Sequence, residues 1–329
     1  MHRLIIQIPC FNEEETLPIT LQELPRSVDG FDQVLWLIID DGSTDNTVMV
    51  AKQNGADHII RVGGNRGLAN AFRTGIAECL RLGADVIVNT DADNQYQAAD
   101  IPKLTGPIVA GEAEIVIGTR PITTTEHFSF RKKVLQKLGS WVVRIASGTQ
   151  VADAPSGFRA FSREAAMRLN VFGDYTYTLE TIIQAGWQRM RIISVPIRTN
   201  QDLRPSRLLK SITMYVRASA VTIVRSFVAY RPFHFFGFSG LFSMFCGFLI
   251  SLRFLYFFVT DGGSGHIQSL ILASVFLSSG FLLLVIALLA DLISINRKLL
   301  EKIDQRIHSL EKQSSDSASS APDSKGEQQ

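Results

Sequence analysis

Asp91 and Asp93 stand one residue apart at the end of the apolar run DVIVNTDAD. Two carboxylates so spaced can approach one hard divalent cation and a diphosphate together. Mg²⁺ or Mn²⁺ is the expected ion, with Asp91 and Asp93 as its ligands. Read alone, the pair could equally cap a solvated loop. Two further segments weigh against that: IPCFNEEETLP carries Asn12 and Glu13, and IIDDGSTDNT carries Asp41. Each follows a short β-branched run, so all three fall at strand ends. Arg120 closes a fourth such run, EIVIGTR, and its planar fork suits a phosphate or a carboxylate.

Holding these groups in place requires a rigid sheet. From residue 3 to about 120, β-branched runs alternate with helical stretches, the pattern of a mostly parallel sheet covered by helices. LIIQIP, VLWLIID, HIIRV, DVIVNTDAD and EIVIGTR read as strands. FNEEETLPITLQEL, STDNTVMVAKQNG and LANAFRTGIAECLRLG read as helices, the second opened by Ser43 or Thr44 and stopped by Gly55. Helices around 130–147 and 163–170 and a last strand RIISVPI follow. Ligands of open α/β sheets bind beyond the carboxyl ends of the strands, so Pro9–Glu14, Asp40–Asp45 and Asp91–Asn94 should converge on one crevice. Gly63-Gly64-Asn65-Arg66-Gly67-Leu68 looks superficially like a dinucleotide fingerprint, but it sits in the third unit after a very short strand, the wrong place for that motif.

Two apolar stretches, His234–Val259 and Ile267–Ile293, exceed the roughly 20 residues needed to cross a bilayer. The connection TDGGSGH has no Lys or Arg. Arg204, Arg207, Lys210, Arg217, Arg225 and Arg231 precede the first stretch, and Arg297, Lys298, Lys302 and Arg306 follow the second. The positive-inside rule then puts the N-terminal domain and both termini in the cytoplasm. The expected division is a catalytic domain over 1–203, an interfacial amphipathic linker over 204–232, two membrane spans over 233–295, a short cytoplasmic helix over 296–312 and a disordered tail over 313–329. Leu300, Ile303, Ile307 and Leu310 at 3 and 4 spacing offer a short coiled-coil face for a homo-oligomer.

Composition removes other classes. Thirty-three basic against 31 acidic residues leave a net charge of +2, which gives no global electrostatic case for nucleic acid. Cys10, Cys79 and Cys246 are odd in number and far apart, so neither a disulfide framework nor a zinc site is indicated. The start MHRLIIQIPCFNEEE reaches acids too soon for a secretory signal and reads as a first strand.

IPCFNEEETLP, IIDDGSTDNT, NRGLANAFRTG and DADNQY, in that order, resemble the family 2 glycosyltransferases of GT-A fold over residues 3 to about 210. Within them the chain looks most similar to the dolichyl-phosphate mannose synthase and polyprenyl-phosphate glycosyltransferase branch. The resemblance implies a Rossmann-like GT-A domain that moves a sugar, with inversion, from a GDP- or UDP-sugar to a polyprenyl (dolichyl-type) phosphate. It implies that Pro9, Phe11, Asn12 and Glu13 contact the nucleotide and that Asp41 contacts its base. Asp91, Ala92 and Asp93 then form the metal and diphosphate motif, with Asp93 the stronger ligand. Arg120 binds the donor, and Arg204 and Arg207 in LRPSRLLKS close over the donor diphosphate or hold the acceptor phosphate. Asp153-Ala-Pro-Ser-Gly-Phe-Arg159 resembles the motif that faces the acceptor, where several relatives carry an acid just before Phe-Arg. Gly157 stands there instead, leaving Asp153, then Glu180, as the nearest acid for a catalytic base. A lipid phosphate, with a second pKa of about 6, needs no base. The alternatives are transfer to another lipid or glycan, and a catalytically inactive membrane scaffold.

Overall fold

Two eight-residue runs of branched apolar side chains form the longest strands, β1 (Arg3–Cys10) and β2 (Gln33–Asp40), parallel and in register from Arg3 opposite Gln33 to Cys10 opposite Asp40. The computed structural model describes residues 2–121, 130–171, 173, 176–201, 217, 220–225, 228, 232–262 and 267–319. β3 (His58–Arg61) lies outside β2, and β4 (Val86–Asn89) lies on the other flank of β1. With β5 (Ile115–Thr119), β6 (Arg159–Ser162) and β7 (Ile192–Pro196) the sheet reads β3-β2-β1-β4-β6-β5-β7. β6 runs antiparallel to both its neighbours, and the other pairings are parallel. The expected strands are all present. β6 is an addition, since its four residues RAFS carry a charge and too little alternation to announce a strand.

The strand period of two sends side chains to opposite faces. Ile5 packs into a layer with Phe72, Ile76, Phe161 and Ile183, while Leu4, Ile6 and Ile8 pack with Leu17, Leu21, Leu104 and Phe158. Each such side chain contributes about 1.5–3 kcal/mol on burial. Helices α1 (Leu17–Glu23), α2 (Thr47–Gln53), α3 (Leu68–Arg81), α4 (Ile101–Val109), α5 (Phe130–Ser147), α6 (Arg163–Arg168) and α7 (Thr178–Trp187) cover the sheet. α3 lies so close to β1 and β2 that a Cβ on Gly75 would overlap the Gln7 side chain and come 2.8 Å from Ile39 Cδ1.

Two helix starts differ from expectation, and both differences shape the site. Residues 11–16 do not join α1: Asn12 has φ 55°, and the helix opens only at Leu17, with proline in its first turn. α2 opens at Thr47 rather than at Ser43 or Thr44, because the Asp45 carboxylate accepts the Thr47 N–H at 3.0 Å and holds the preceding residues as a loop. The stop at Gly55, φ 80°, is as expected.

The C-terminal unit is a pair of helices, Pro232–Asp261 and Ile267–Ser319. Windows over Pro232–Thr260 and Ile267–Asn296 have mean hydropathy 1.9 and 2.6, and are long and apolar enough to cross a membrane. They meet through small residues: a Cβ on Gly240 would lie 2.9 Å from the Gly280 carbonyl oxygen, and Ser243 Oγ donates to Phe276 O at 2.8 Å. Their large apolar side chains point outward, Phe238 at 74% and Phe281 at 64% exposure. The second helix runs unbroken to Ser319, past the separate cytoplasmic segment and the start of the disordered tail expected from Gln313. No proline interrupts that stretch, so nothing local ends the helix. Arg204 and Arg207, with most of the expected linker, lie outside the described residues.

Candidate active site

Loops leave the carboxyl ends of β1, β2 and β4 on one edge of the sheet, where the chain has placed β2 and β3 on one side of β1 and returns to add β4 on the other. That reversal opens a crevice. The first loop is latched to the second. The Asn12 N–H donates to Ser43 Oγ at 2.9 Å, and its side-chain oxygen accepts from the Thr44 N–H at 2.8 Å. The Glu13 N–H donates to Thr47 Oγ1 at 2.8 Å, and Glu14 Oε2 accepts from the Asn46 N–H at 2.9 Å. The Glu13 carboxylate, 7% exposed, takes the Thr16 hydroxyl at 2.6 Å. Pro9 is buried opposite Ile39, and Phe11 is half-buried where the strand ends.

Asp41, expected at the nucleotide base, is 4% exposed and accepts the backbone N–H of Arg66 at 3.0 Å and of Gly67 at 2.7 Å. Its carboxylate ties the glycine-rich segment before α3 to the end of β2. That segment is structural first, as its place in the third unit suggests.

The third loop carries the paired acids. Ala92 O accepts from Thr20 Oγ1 at 2.9 Å, and Asp93 Oδ1 accepts from the Gln95 N–H at 3.2 Å. Asn94, at φ 55°, donates to Glu23 Oε1 at 3.2 Å, and Asn200 donates to Asn94 O at 3.1 Å. The Asp91-Ala92-Asp93 turn is thus held from α1 on one side and from the segment after β7 on the other.

Gly157 explains the departure from the acceptor-facing motif. A Cβ there would sit 3.0 Å from both carboxylate oxygens of Asp91 and 3.2 Å from Tyr177 Oη, so Asp91 occupies the space an acidic side chain at 157 would need. The Gly157 N–H donates to Tyr96 Oη at 3.0 Å, and the Tyr96 hydroxyl hydrogen-bonds the Asp91 carboxylate. Asn89 Nδ2 donates to Gly157 O at 2.9 Å and to Tyr177 Oη at 2.8 Å, and Gln7 Nε2 donates to Asn89 Oδ1 at 2.9 Å. Sequence reasoning gave Gln7, Asn89, Tyr96 and Tyr177 no role. The signal was a polar residue inside each of the apolar runs RLIIQIPC and VIVN, which a fully buried strand tolerates only with a partner.

Arg120 and Asp153 form a bidentate pair, Nε to Oδ2 at 2.8 Å and Nη2 to Oδ1 at 3.0 Å, with the Arg120 N–H also on Oδ2 at 3.3 Å. Asp153 is 0% exposed. The expectation that it serves as a base therefore changes: both its carboxylate oxygens are taken up by Arg120. Glu180, 5% exposed, accepts the Gly173 N–H at 2.9 Å and is no better placed. Arg159 is fully buried and donates to the carbonyls of Ala154, Ser156 and Thr178, which fixes the turn that carries Asp153.

Asp91 is partly exposed but ringed by protein, and its pKa is pushed up to about 7 by burial first and by the Asp93 charge second, against the pull of Arg120 and the Tyr96 hydroxyl. Glu13 adds to the negative field. Two oxygen donors with this charge excess fit a hard divalent cation that takes its other ligands from water and phosphate. Among the described residues no group of three or more His, Cys, Asp or Glu is placed to hold a metal, so the pair would rely on such outside ligands.

The raised pKa sets a sign for pH. Between the ordinary carboxylate value and about 7, folded Asp91 keeps a proton that the unfolded chain releases, so metal-free stability falls as pH rises through that window. Thermal melts from about pH 5 to pH 8 should show this slope, flattened in Asp91→Asn, and the Tm rise caused by Mn²⁺ should grow with pH because the ion needs the carboxylate form. A Mn²⁺ effect largest at low pH would contradict the assignment.

Known proteins are similar to this chain in sequence and in fold. The chain is 31% identical over 216 residues to the UDP-N-acetylglucosamine–dolichyl-phosphate N-acetylglucosaminyltransferase of Methanococcus voltae, a match covering 58% of this chain and 83% of that protein. It is 28% identical over 218 residues to the polyprenol monophosphomannose synthase of Mycolicibacterium smegmatis, covering 63% of this chain and 81% of the relative. The fold is similar to glucosyl-3-phosphoglycerate synthase from Mycobacterium tuberculosis, solved with Mn²⁺, UDP-glucose and phosphoglyceric acid, at TM-score 0.55 and 22% identity over 69% of this chain and 80% of that one. The model of glycosyl transferase family 2 matches residues 5–169, from β1 to the end of α6. With a GT-A sheet and its acids gathered at the switch point, this chain belongs to glycosyl transferase family 2 and is a glycosyltransferase.

Proposed function

We propose that this chain moves a sugar, with inversion, from a GDP- or UDP-sugar to a polyprenyl phosphate at a membrane surface. The observation that carries the reading is the Asp91 and Asp93 pair at the switch point, with Arg120 close enough to act on Asp91. The relatives named for dolichyl-phosphate and polyprenol-phosphate transfer support the acceptor, and the two outward-apolar helices support the membrane.

Asp91 and Asp93 are the residues that would hold Mg²⁺ or Mn²⁺, which supplies positive charge against the donor diphosphate. Asp153 takes two of the five guanidinium donors of Arg120, and the others are proposed to meet the leaving diphosphate. An oxygen of the lipid phosphate bonds to the anomeric carbon as the bond from that carbon to the diphosphate oxygen breaks, and the electron pair leaves with the nucleoside diphosphate. The nucleophile is already an anion at neutral pH. The chain's work is therefore positioning and charge neutralisation, and the burial of Asp153 and Glu180 costs the reaction nothing. Arg204 and Arg207 are proposed to meet the acceptor phosphate. The basic flanks of the apolar helices favour a cytoplasmic catalytic unit and cytoplasmic ends.

A thermal-shift screen of GDP- and UDP-sugars with Mg²⁺ or Mn²⁺, followed by transfer to polyprenyl phosphate in vesicles, tests this. The true donor at about 100 times its Kd should add about 2.7 kcal/mol of stability. Stabilisation by no nucleotide sugar, or transfer that proceeds equally without the lipid phosphate, would overturn the assignment.

A further inference from the structure

Helix α5 is apolar on two sides. Ser140, Val143, Ala146 and Ser147 are buried on its inner face, yet Trp141 is 52% and Ile145 64% exposed on the outer one, a single turn apart. Arg144, adjacent to Ile145, is exposed as well. The 18 residues carry five basic side chains and no acid. A surface helix ordinarily turns its polar side out. An exposed indole and isoleucine beside an exposed arginine, on a helix with no acid, instead match a helix lying in a lipid interface, where aromatic rings sit at headgroup level and cations meet phosphates.

We propose that α5 docks on the surface of an anionic bilayer, with Trp141 and Ile145 entering the boundary between headgroups and acyl chains and Arg144 on lipid phosphates. This rests on the reading that the two C-terminal helices span a membrane, which keeps the catalytic unit at high effective concentration beside the lipid. α5 lies between Arg120 and Asp153 in sequence, and Ser140 Oγ accepts the Ala154 N–H at 3.3 Å, so docking bears directly on the segment that orients Arg120.

The tryptophans suit a direct test. The chain has three, Trp36, Trp141 and Trp187, none of them in the apolar helices, and Trp36 is only 5% exposed. The full chain is reconstituted into phosphatidylcholine vesicles containing phosphatidylglycerol, with plain or brominated acyl chains, and vesicle binding is checked by flotation. Brominated lipid is expected to quench the wild-type fluorescence, and Trp141→Phe should remove most of that quenching. The double variant Arg144→Glu, Ile145→Asp should still float but lose at least about half of it, since interfacial binding scales with apolar burial and charge. A chain that floats with no Trp141 quenching overturns the proposal and leaves the membrane reading standing; the outer face would then be covered by residues 204–231 or by a second copy. A chain that does not float overturns both.

Discussion

Asp93→Ala is expected to lower sugar transfer by about 10²–10³-fold or more while leaving Tm within a few degrees of wild type. The asymmetry follows from where the side chain sits. Asp93 is partly exposed and accepts the Gln95 N–H within its own loop, a bond worth about 1 kcal/mol. It also raises the pKa of Asp91, so its removal relieves a like-charge cost as it deletes the proposed ligand of the cation. The loss therefore falls on charge stabilisation in the transition state and hardly on the fold. Rates measured against Mn²⁺ concentration, beside melting curves, give the answer. Full transfer by the variant at ordinary Mn²⁺ would sink the assigned role.

The opposite pattern is expected at Asp153. Asp153→Ala should destabilise the catalytic unit by about 3–5 kcal/mol, because it leaves the Arg120 guanidinium, 13% exposed, without its buried partner. That corresponds to a fall in Tm on the order of 10 °C. Asp153→Asn keeps the shape but not the charge and should fall between. Replacing both partners by apolar residues should recover part of the stability, since the largest cost lies in the unpaired charge. A base would behave differently: Asp153→Asn would then melt like wild type and lose transfer more than about 100-fold. That result would restore Asp153 to the chemistry.

The two contrasting outcomes reflect what could be read from the residue strings. Asp93 and Asp153 look alike in sequence, each an acid in a short polar motif near an apolar strand. Asp93 is at the end of a central strand, and strand ends are visible through local periodicity. Asp153 precedes β6, whose RAFS carries no strand signature, so its antiparallel pairing with β4 and β5 stays hidden until the sheet is assembled. That pairing brings Gly157 against Asp91 and leaves Asp153 beneath Arg120. Asn12, Glu13 and Asp41 show the same limit. Their place beside the crevice is legible, but that they spend hydrogen bonds on neighbouring loops depends on how β1, β2 and α3 meet.

The order of strands and helices, the acids at the strand ends and the two long apolar helices were determined by the sequence alone, because hydrophobic period, run length and turn chemistry act over a few residues. Which acid faces the crevice and which is taken up in a buried pair was decided only by the tertiary structure. Burial and charge pairing belong to residues far apart in the chain: Asp153 meets Arg120 across 33 residues, and the Asp91 carboxylate acquires its Gly157 floor only when β6 closes against β4.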